Sequence, residues 1–287
     1  MNWKALVIQI GRSRHARRVY AILSGTPILG PFLRGLVRRG VPVKTHVWLR
    51  ISGGLGQGLW AHLDPRFEMD YAGGEYEPPI QQALSEHLKP GSVFYDVGAH
   101  VGIVSLFAAR LVGRNGAVFA FEADPENADR IKEHVRRNIL DQIQVVPCAV
   151  WSSSGHLRFE RASAQSSRNQ GSLASDLAVS GEDTIEVEAI TLDDFVQRHD
   201  PPTLVKIDVE GAEAGVLRGS EKIFAQSKPV LICEVHCKQA ADDVTRWLRG
   251  KAYTFEWLED PLQLPCHLLA RPEKGSSLPE TASVTDS

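Results

Sequence analysis

The sequence predicts an α/β fold, a mostly parallel sheet covered by helices on both faces. Three observations predict it. First, residues 92–125 read strand–turn–helix–strand: Val93-Phe94-Tyr95-Asp96, the small-residue turn Val97-Gly98-Ala99-His100-Val101-Gly102, an apolar helix pattern over Ile103–Val112, and Ala117–Phe121 ending in Glu122. That unit is the first half of a nucleotide-binding α/β fold. Second, strand-like and helix-like stretches keep alternating beyond Pro125. Third, four acids, Asp96, Glu122, Asp208 and Glu234, fall at predicted strand ends. That is the side on which ligands bind in such sheets.

Residues 1–42 read as a basic helical leader, with two short helices expected over 1–40, broken at Gly25-Thr26-Pro27 and Gly30-Pro31. Residues 43–75 change to period two around the glycine-rich Ser52-Gly53-Gly54-Leu55-Gly56, which predicts a β-hairpin extension. No helix pattern follows these glycines, so they are no phosphate loop. Residues 71–79 read as a turn into a helix over 80–88, stopped by Lys89-Pro90-Gly91. The main domain is expected over 76–271. After the opening unit, Asp124 and Pro125 start a helix over 126–140. Residues 143–150 read as a third strand, and 156–160 with 184–190 as paired edge strands. The polar stretch 162–183 between them is long enough to be a lid or a disordered segment. Thr191 starts a short helix. Strands over 203–208 and 229–236 flank a helix over 213–225. A helix over 242–249 and strands over 253–258 and 267–270 follow. Residues 272–287 are rich in Ser, Thr, Pro and Glu and read as a disordered tail.

The totals bound the class. No apolar run reaches the roughly 18–20 residues of a membrane span. No long apolar region with a small-residue cleavage site follows Met1, so no signal peptide is expected. The four cysteines form no CxxC and predict reduced core thiols of a cytoplasmic protein. The net charge of −3 conceals an asymmetry: residues 1–50 hold ten Lys and Arg and no acid, which leaves −13 for the rest. Residues 1–40 are expected either to touch an anionic membrane surface at its periphery or to pack on the acidic body. No nucleic-acid partner is expected.

The turn is D-x-G-x-x-x-G, not G-x-G-x-x-G. A pyrophosphate wants amide donors and no carboxylate close by. An acid opening the loop suits a ligand with a cationic end, and Glu122 at the next strand end suits a ribose. S-adenosylmethionine meets both conditions, having a ribose, an ammonium and a sulfonium but no phosphate. A dinucleotide stays open, because Glu122 serves its ribose equally well.

The second constellation is Lys206-Ile207-Asp208-Val209-Glu210-Gly211-Ala212-Glu213. Lys206 and Asp208 point to one side of a strand. Gly211 permits a tight turn, and Glu213 suits the first turn of the next helix. Glu234-Val235-His236 ends the neighbouring strand. Asp208, Glu234 and His236 are therefore candidates to position a substrate hydroxyl, to remove its proton, or to hold a divalent cation.

Together with Gly74-Glu75-Tyr76-Glu77-Pro78, Ala120–Pro125 and Thr191-Leu192-Asp193-Asp194, these motifs resemble the FkbM-type S-adenosylmethionine-dependent methyltransferases over roughly 48–270. The resemblance implies a Rossmann-like, seven-stranded, mostly parallel sheet whose last strand is antiparallel. It also implies O-methylation of hydroxyls on sugars, polyketides or related metabolites. It places the cofactor on Asp96, Gly98, Ala99, His100, Gly102, Glu122, Ala149 and Val150. It makes His236 the base, with Asp208, Glu234 and Lys206 beside it, and puts Glu210 and Tyr76 on a small-molecule or glycan acceptor. The family often has Asn at the position of His100, and a small or polar residue at that of Trp151, which either stacks near the adenine or only packs. Two rival readings stand beside this one: an NAD-dependent oxidoreductase, and a non-catalytic cofactor-binding scaffold recruited to membranes by the leader.

Overall fold

The computed structural model describes residues 35, 41–42, 45–161, 172–173 and 184–273. The expectations for the leader 1–42, the polar stretch 162–183 and the tail 272–287 fall almost wholly outside these residues. Among the described residues no helix is long and apolar enough to cross a membrane.

The chain alternates as its periodicity demands. A hairpin comes first, with β1 (Val47–Arg50) antiparallel to β2 (Trp60–Leu63). Helices α1 (Met69–Gly73) and α2 (Pro78–His87) lead into β3 (Val93–Val97), α3 (Ile103–Val112), β4 (Ala117–Phe121), α4 (Pro125–Asn138) and β5 (Ile143–Val146). Three short strands follow, β6 (Ala149–Val150), β7 (Gly155–Glu160) and β8 (Ser172–Leu173), then β9 (Thr184–Ile190). The second half runs α5 (Leu192–Phe195), β10 (Leu204–Ile207), α6 (Glu213–Arg218), α7 (Glu221–Gln226), β11 (Val230–Val235), α8 (Lys238–Gly250), β12 (Tyr253–Trp257) and β13 (Cys266–Pro272).

Seven strands form one sheet in the order β12-β13-β11-β10-β3-β4-β5. β13, the last in the chain, is antiparallel to both neighbours, while β11, β10, β3, β4 and β5 pair in parallel. The strand order reverses between β3 and β10, where the chain crosses from one half of the sheet to the other. Alternate side chains face opposite layers. Phe94, Leu204, Ile232 and Leu269 face one core with α2, α3 and the hairpin. Tyr95, Val97, Val205, Ile207, Cys233 and Leu268 face the other, with α6, α7 and α8. The hairpin is part of the first core, through Leu49, Ala61 and Leu63. It is also tied to α4: His62 N donates to His134 Nε2 at 2.7 Å, and Asn138 bonds both backbone groups of Trp60.

Several elements differ from expectation. Residues 143–150 are two strands, because Pro147 has no N–H to continue the ladder. β6 leaves the main sheet and pairs with β9 in a small sheet ordered β6-β9-β7-β8. The helix expected over 213–225 breaks at Gly219-Ser220, and α7 restarts where Asp193 accepts from the amides of Lys222 and Ile223. Tyr71, read as turn, lies in α1, and the helix expected from 242 begins at Lys238 behind Cys237. Cys237 is exposed, unlike the other three cysteines, which are buried free thiols. Pro272 closes β13 and is not the start of a tail.

Candidate active site

β3 delivers the first loop. Gly98 takes φ +78°, His100 φ +53° and Gly102 φ +79°. The left-handed region is open to glycine and tolerable for His. A Cβ on Gly98 would run into the Asp208 carbonyl oxygen, so only glycine lets this turn close against the end of β10. Gly102 packs on Ile131 of α4. The amides of Gly98 and Ala99 both donate to Phe121 O at the end of β4. Those two donors are therefore committed to the fold.

Glu122 follows β4 and is 6% exposed. Its Oε2 accepts from His100 N at 2.7 Å and its Oε1 from Asp124 N at 2.8 Å. A carboxylate has about four lone-pair sites, so acceptor capacity is left for a ligand. Burial pushes this carboxyl up to about 8, against the two amides that favour its charge. Burial also lowers the His100 imidazole, whose Nε2 is buried without a partner. Around them opens a cleft of about 600 Å³ lined by Val97, Gly98, His100, Phe121, Glu122, Ala123, Asn127, Cys148, Ala149, Val150, Phe159, Asp208, Val209 and Glu210. Its apolar wall is Phe121, Cys148, Ala149, Val150 and Phe159. Its charged residues are three acids, with no Lys or Arg among the lining residues. A pyrophosphate would meet carboxylates and spent amides there; a cationic nucleoside fits.

The second cluster grows from strand register. Lys206 sits opposite Asp96 across the β10–β3 pair, and Glu234 opposite His267 across β11–β13. All four lie on the sheet face of Phe94, Leu204, Ile232 and Leu269. Lys206 Nζ donates to Asp208 Oδ2 at 2.9 Å and lies 4.0 Å from Asp96 Oδ1. Burial works against charge on both Asp208 and Lys206. Their mutual attraction outweighs it, lowering the Asp208 carboxyl and raising the ammonium. Burial, reinforced by the charge of Asp208, pushes Glu234 well above the carboxylate range.

His236 Nδ1 lies 2.7 Å from Glu213 Oε1, a side chain buried completely and held also by Gly211 N at 2.9 Å. Its Nε2 lies 3.3 Å from Glu210, 3.7 Å from Asp208 and 3.9 Å from Glu234. Burial alone would lower its pKa. Hydrogen bonds to Glu210 and Glu213 and the charge of Asp208 push it instead up to about 10.

Of the expected cofactor residues, Gly98, His100, Glu122, Ala149 and Val150 line the cleft. Asp96 does not. It is 0% exposed, accepting from Ser105 Oγ at 2.6 Å behind the loop, so it has no direct contact with a ligand in the cleft. Ala99 and Gly102 likewise shape the loop from behind. Asp208 and Glu210 reach the cleft, whereas Lys206, Glu234, His236 and Tyr76 stand outside its lining. His236 was expected as the base; the hydrogen bonds to Glu210 and Glu213 favour its charged form, which argues against that role. Trp151 does not reach the cleft lining but packs its ring against Gly215 of α6. Sequence reasoning missed Asn127 and Phe159 in the cleft, and Glu77, Glu213 and His267 in the charged cluster. Glu77 and Glu213 were legible only as parts of motifs; His267 was legible as the one ionisable residue of the strand expected over 267–270.

The chain was compared with known proteins. Residues 96–255 match the model of the methyltransferase FkbM domain, over half of the chain. The hexuronic acid methyltransferase AglP of Haloferax volcanii is 29% identical over 194 residues, 66% of this chain and 71% of that protein. The 31-O-demethyl-FK506 methyltransferase FkbM of Streptomyces tacrolimicus is 29% identical over 205 residues, 61% of this chain and 77% of that protein. A crystal structure of a methyltransferase FkbM from Methylobacillus flagellatus KT aligns at a TM-score of 0.48 and 17% identity, covering 70% of this chain and 52% of that one. The chain thus spans about half the length of that structure. The match covers the D-x-G-x-x-x-G loop and Glu122, and the chain belongs to the FkbM family of S-adenosylmethionine-dependent methyltransferases.

Proposed function

We propose that this methyltransferase acts on a hydroxyl of a sugar, polyketide or related small metabolite, and that Asp208 takes the hydroxyl proton. The observation that carries the reading is a carboxylate held anionic on the cleft wall. Asp208 Oδ2 is bound by Lys206, Glu234 hydrogen-bonds to the same carboxylate, and Oδ1 lies 3.7 Å from His236 Nε2. The two curated relatives support the acceptor class: one is named for a hexuronic acid, the other for an oxygen of FK506.

Glu122 would hold the ribose, with Ala149, Val150 and Phe121 against the adenine and Gly98, Ala99 and His100 shaping the loop beside it. Gly102 would seat that loop on α4, and Asp96 would act from behind it through Lys206. When bound, S-adenosylmethionine supplies a methyl group already activated by its sulfonium. The protein's remaining tasks are alignment and removal of one proton. Alignment alone is worth about 7–11 kcal/mol in well-oriented reactions. A hydroxyl becomes strongly acidic as its oxygen gains a bond to carbon, so a carboxylate of low pKa suffices as acceptor and needs no neutral imidazole. Lys206 would orient Asp208. His236, as a cation, would donate toward the acceptor's oxygens beside Glu210, with Glu234 behind it and Tyr76 at the rim.

Transfer of labelled methyl to a panel of hexuronic acids and hydroxylated macrolides tests this. Asp208→Asn is expected to lower kcat by about 10²–10⁴-fold and to leave cofactor affinity unchanged. Glu122→Ala is expected to weaken cofactor binding by about tenfold or more, the loss of a buried hydrogen-bond acceptor. A full rate in Asp208→Asn removes the proton assignment. Unchanged titration of S-adenosylmethionine into Glu122→Ala removes the ribose assignment.

A further inference from the structure

The sheet face that carries Lys206 carries a second convergence, one strand further along. Glu234 near the end of β11 stands in register with His267 of β13. Because β13 runs antiparallel, its first residues lie beside the last residues of β11. Onto this pair comes Glu77, the N-cap of α2, whose Ile80, Ala83 and Leu84 pack on the same face. One ligand atom from each of Glu77, Glu234 and His267 lies within 4.8 Å of the others.

The orientation of His267 points to what belongs between them. The residue is 5% exposed. Its Nδ1 is 3.1 Å from Glu259 Oε1, and its backbone amide donates to Glu259 Oε2 at 2.7 Å. A carboxylate on Nδ1 places the proton there and leaves Nε2 as a lone pair. That Nε2 is buried with no hydrogen-bond partner, and Glu234 Oε2 stands 3.6 Å away. Glu77 Oε2 is also buried without a partner. His267 Nε2 and Glu77 Oε2 therefore face one space, beside Glu234, with no hydrogen-bond partner among the described residues.

A second trio, Asp208, Glu234 and His236, meets the same distance criterion. It already has its positive charges: Lys206 binds Asp208, and both nitrogens of His236 face carboxylates. We propose that Glu77, Glu234 and His267 hold a divalent first-row transition ion, with Glu259 as the outer carboxylate that orients the imidazole. One imidazole and two carboxylates suit Zn²⁺ or Mn²⁺, whereas Mg²⁺ and Ca²⁺ take oxygen alone. Donors on one tetrahedral ion of this kind lie about 3.5 Å apart, the spacing at which His267 Nε2 and Glu234 Oε2 already stand, at 3.6 Å.

The test is direct binding of Mn²⁺ to the chelator-stripped full chain, read by loss of the free-ion electron paramagnetic resonance signal, with Zn²⁺ as competitor. One Mn²⁺ per chain is expected, displaced by Zn²⁺. Glu77→Gln and His267→Ala are expected to weaken binding at least tenfold. Glu259→Gln, which keeps all three ligands, is expected to weaken it by about 10–100-fold, and His236→Gln to leave it unchanged. Should His267→Ala not fold, Glu77→Gln and Glu259→Gln decide the matter. The proposal is overturned if the wild-type chain takes up no Mn²⁺, if both of those variants bind as tightly as wild type, or if binding is lost only in His236→Gln. Because the ion is read directly, none of these outcomes depends on the acceptor or on methyl transfer.

Discussion

The charged form of His236 is favoured by Glu210, Glu213 and Asp208, and Glu213, the nearest, holds Nδ1 at 2.7 Å. A histidine acting as base near neutral pH would show a rate that climbs with pH around its ordinary pKa of about 6.5. No such limb is expected for this residue; activity that needs its charge falls only as pH rises toward about 10. Stability carries the same signature. A folded pKa above the unfolded one stabilises fully below about 6.5 and loses that contribution as pH rises through the folded value. Urea unfolding of wild type and His236→Gln between pH 6 and 10 should therefore show the largest gap at the acid end. A gap that widens toward pH 10 would show that the surrounding carboxylates do not hold the ring charged. The residue types of this cluster were legible in the motifs 206–213 and 234–236. Their states were not, since Glu213 meets His236 only after β10, α6 and α7 have packed.

The turn between β3 and α3 is the element on which the cleft depends. Its glycines were readable as a close-approach loop, and Ile103–Val112 as the helix that follows. What the loop approaches was not readable. Gly98 closes on the Asp208 carbonyl, which couples the cofactor side of the sheet to the proton-accepting side. Gly98→Ala would force both the left-handed turn and that contact apart. A loss of about 1–3 kcal/mol is expected, together with weaker cofactor binding, by chemical unfolding and isothermal titration. If the variant keeps wild-type stability, the close approach is not a constraint. The strand read over 143–150 shows a different limit. Its apolar run is continuous, but Pro147 breaks the ladder and turns Ala149 and Val150 into the small sheet, where they line the cleft.

The molecule is a seven-stranded sheet with a small four-stranded sheet set against its ligand edge. Glu122 from the large sheet faces Ala149, Val150 and Phe159 from the small one across the cleft. A cofactor bound there bridges the two sheets and should stabilise the whole fold. At a concentration about 100 times Kd the gain is about 2.7 kcal/mol. For a chain of this size that raises Tm by roughly 5 °C. S-adenosylhomocysteine should produce this shift in a thermal melt and NADH should not. A shift with NADH of the same size would contradict the charge of the cleft. The hairpin takes part in the same cooperative unit, because its apolar residues lie inside the core beneath β3 and α3.

The sequence by itself determined the order and type of most elements, the acid-headed loop, the acid Glu122 at the next strand end and the family. These features are local, set by periodicity, turn chemistry and residues a few positions apart. The tertiary structure alone decided that Asp96 sits behind the cleft, that Trp151 packs on α6, and that the charged form of His236 is favoured. It alone brought Glu77, Glu234 and His267 to one point. A charge state depends on burial and on the sum of neighbouring charges, and those neighbours come from strands and helices distant in the chain.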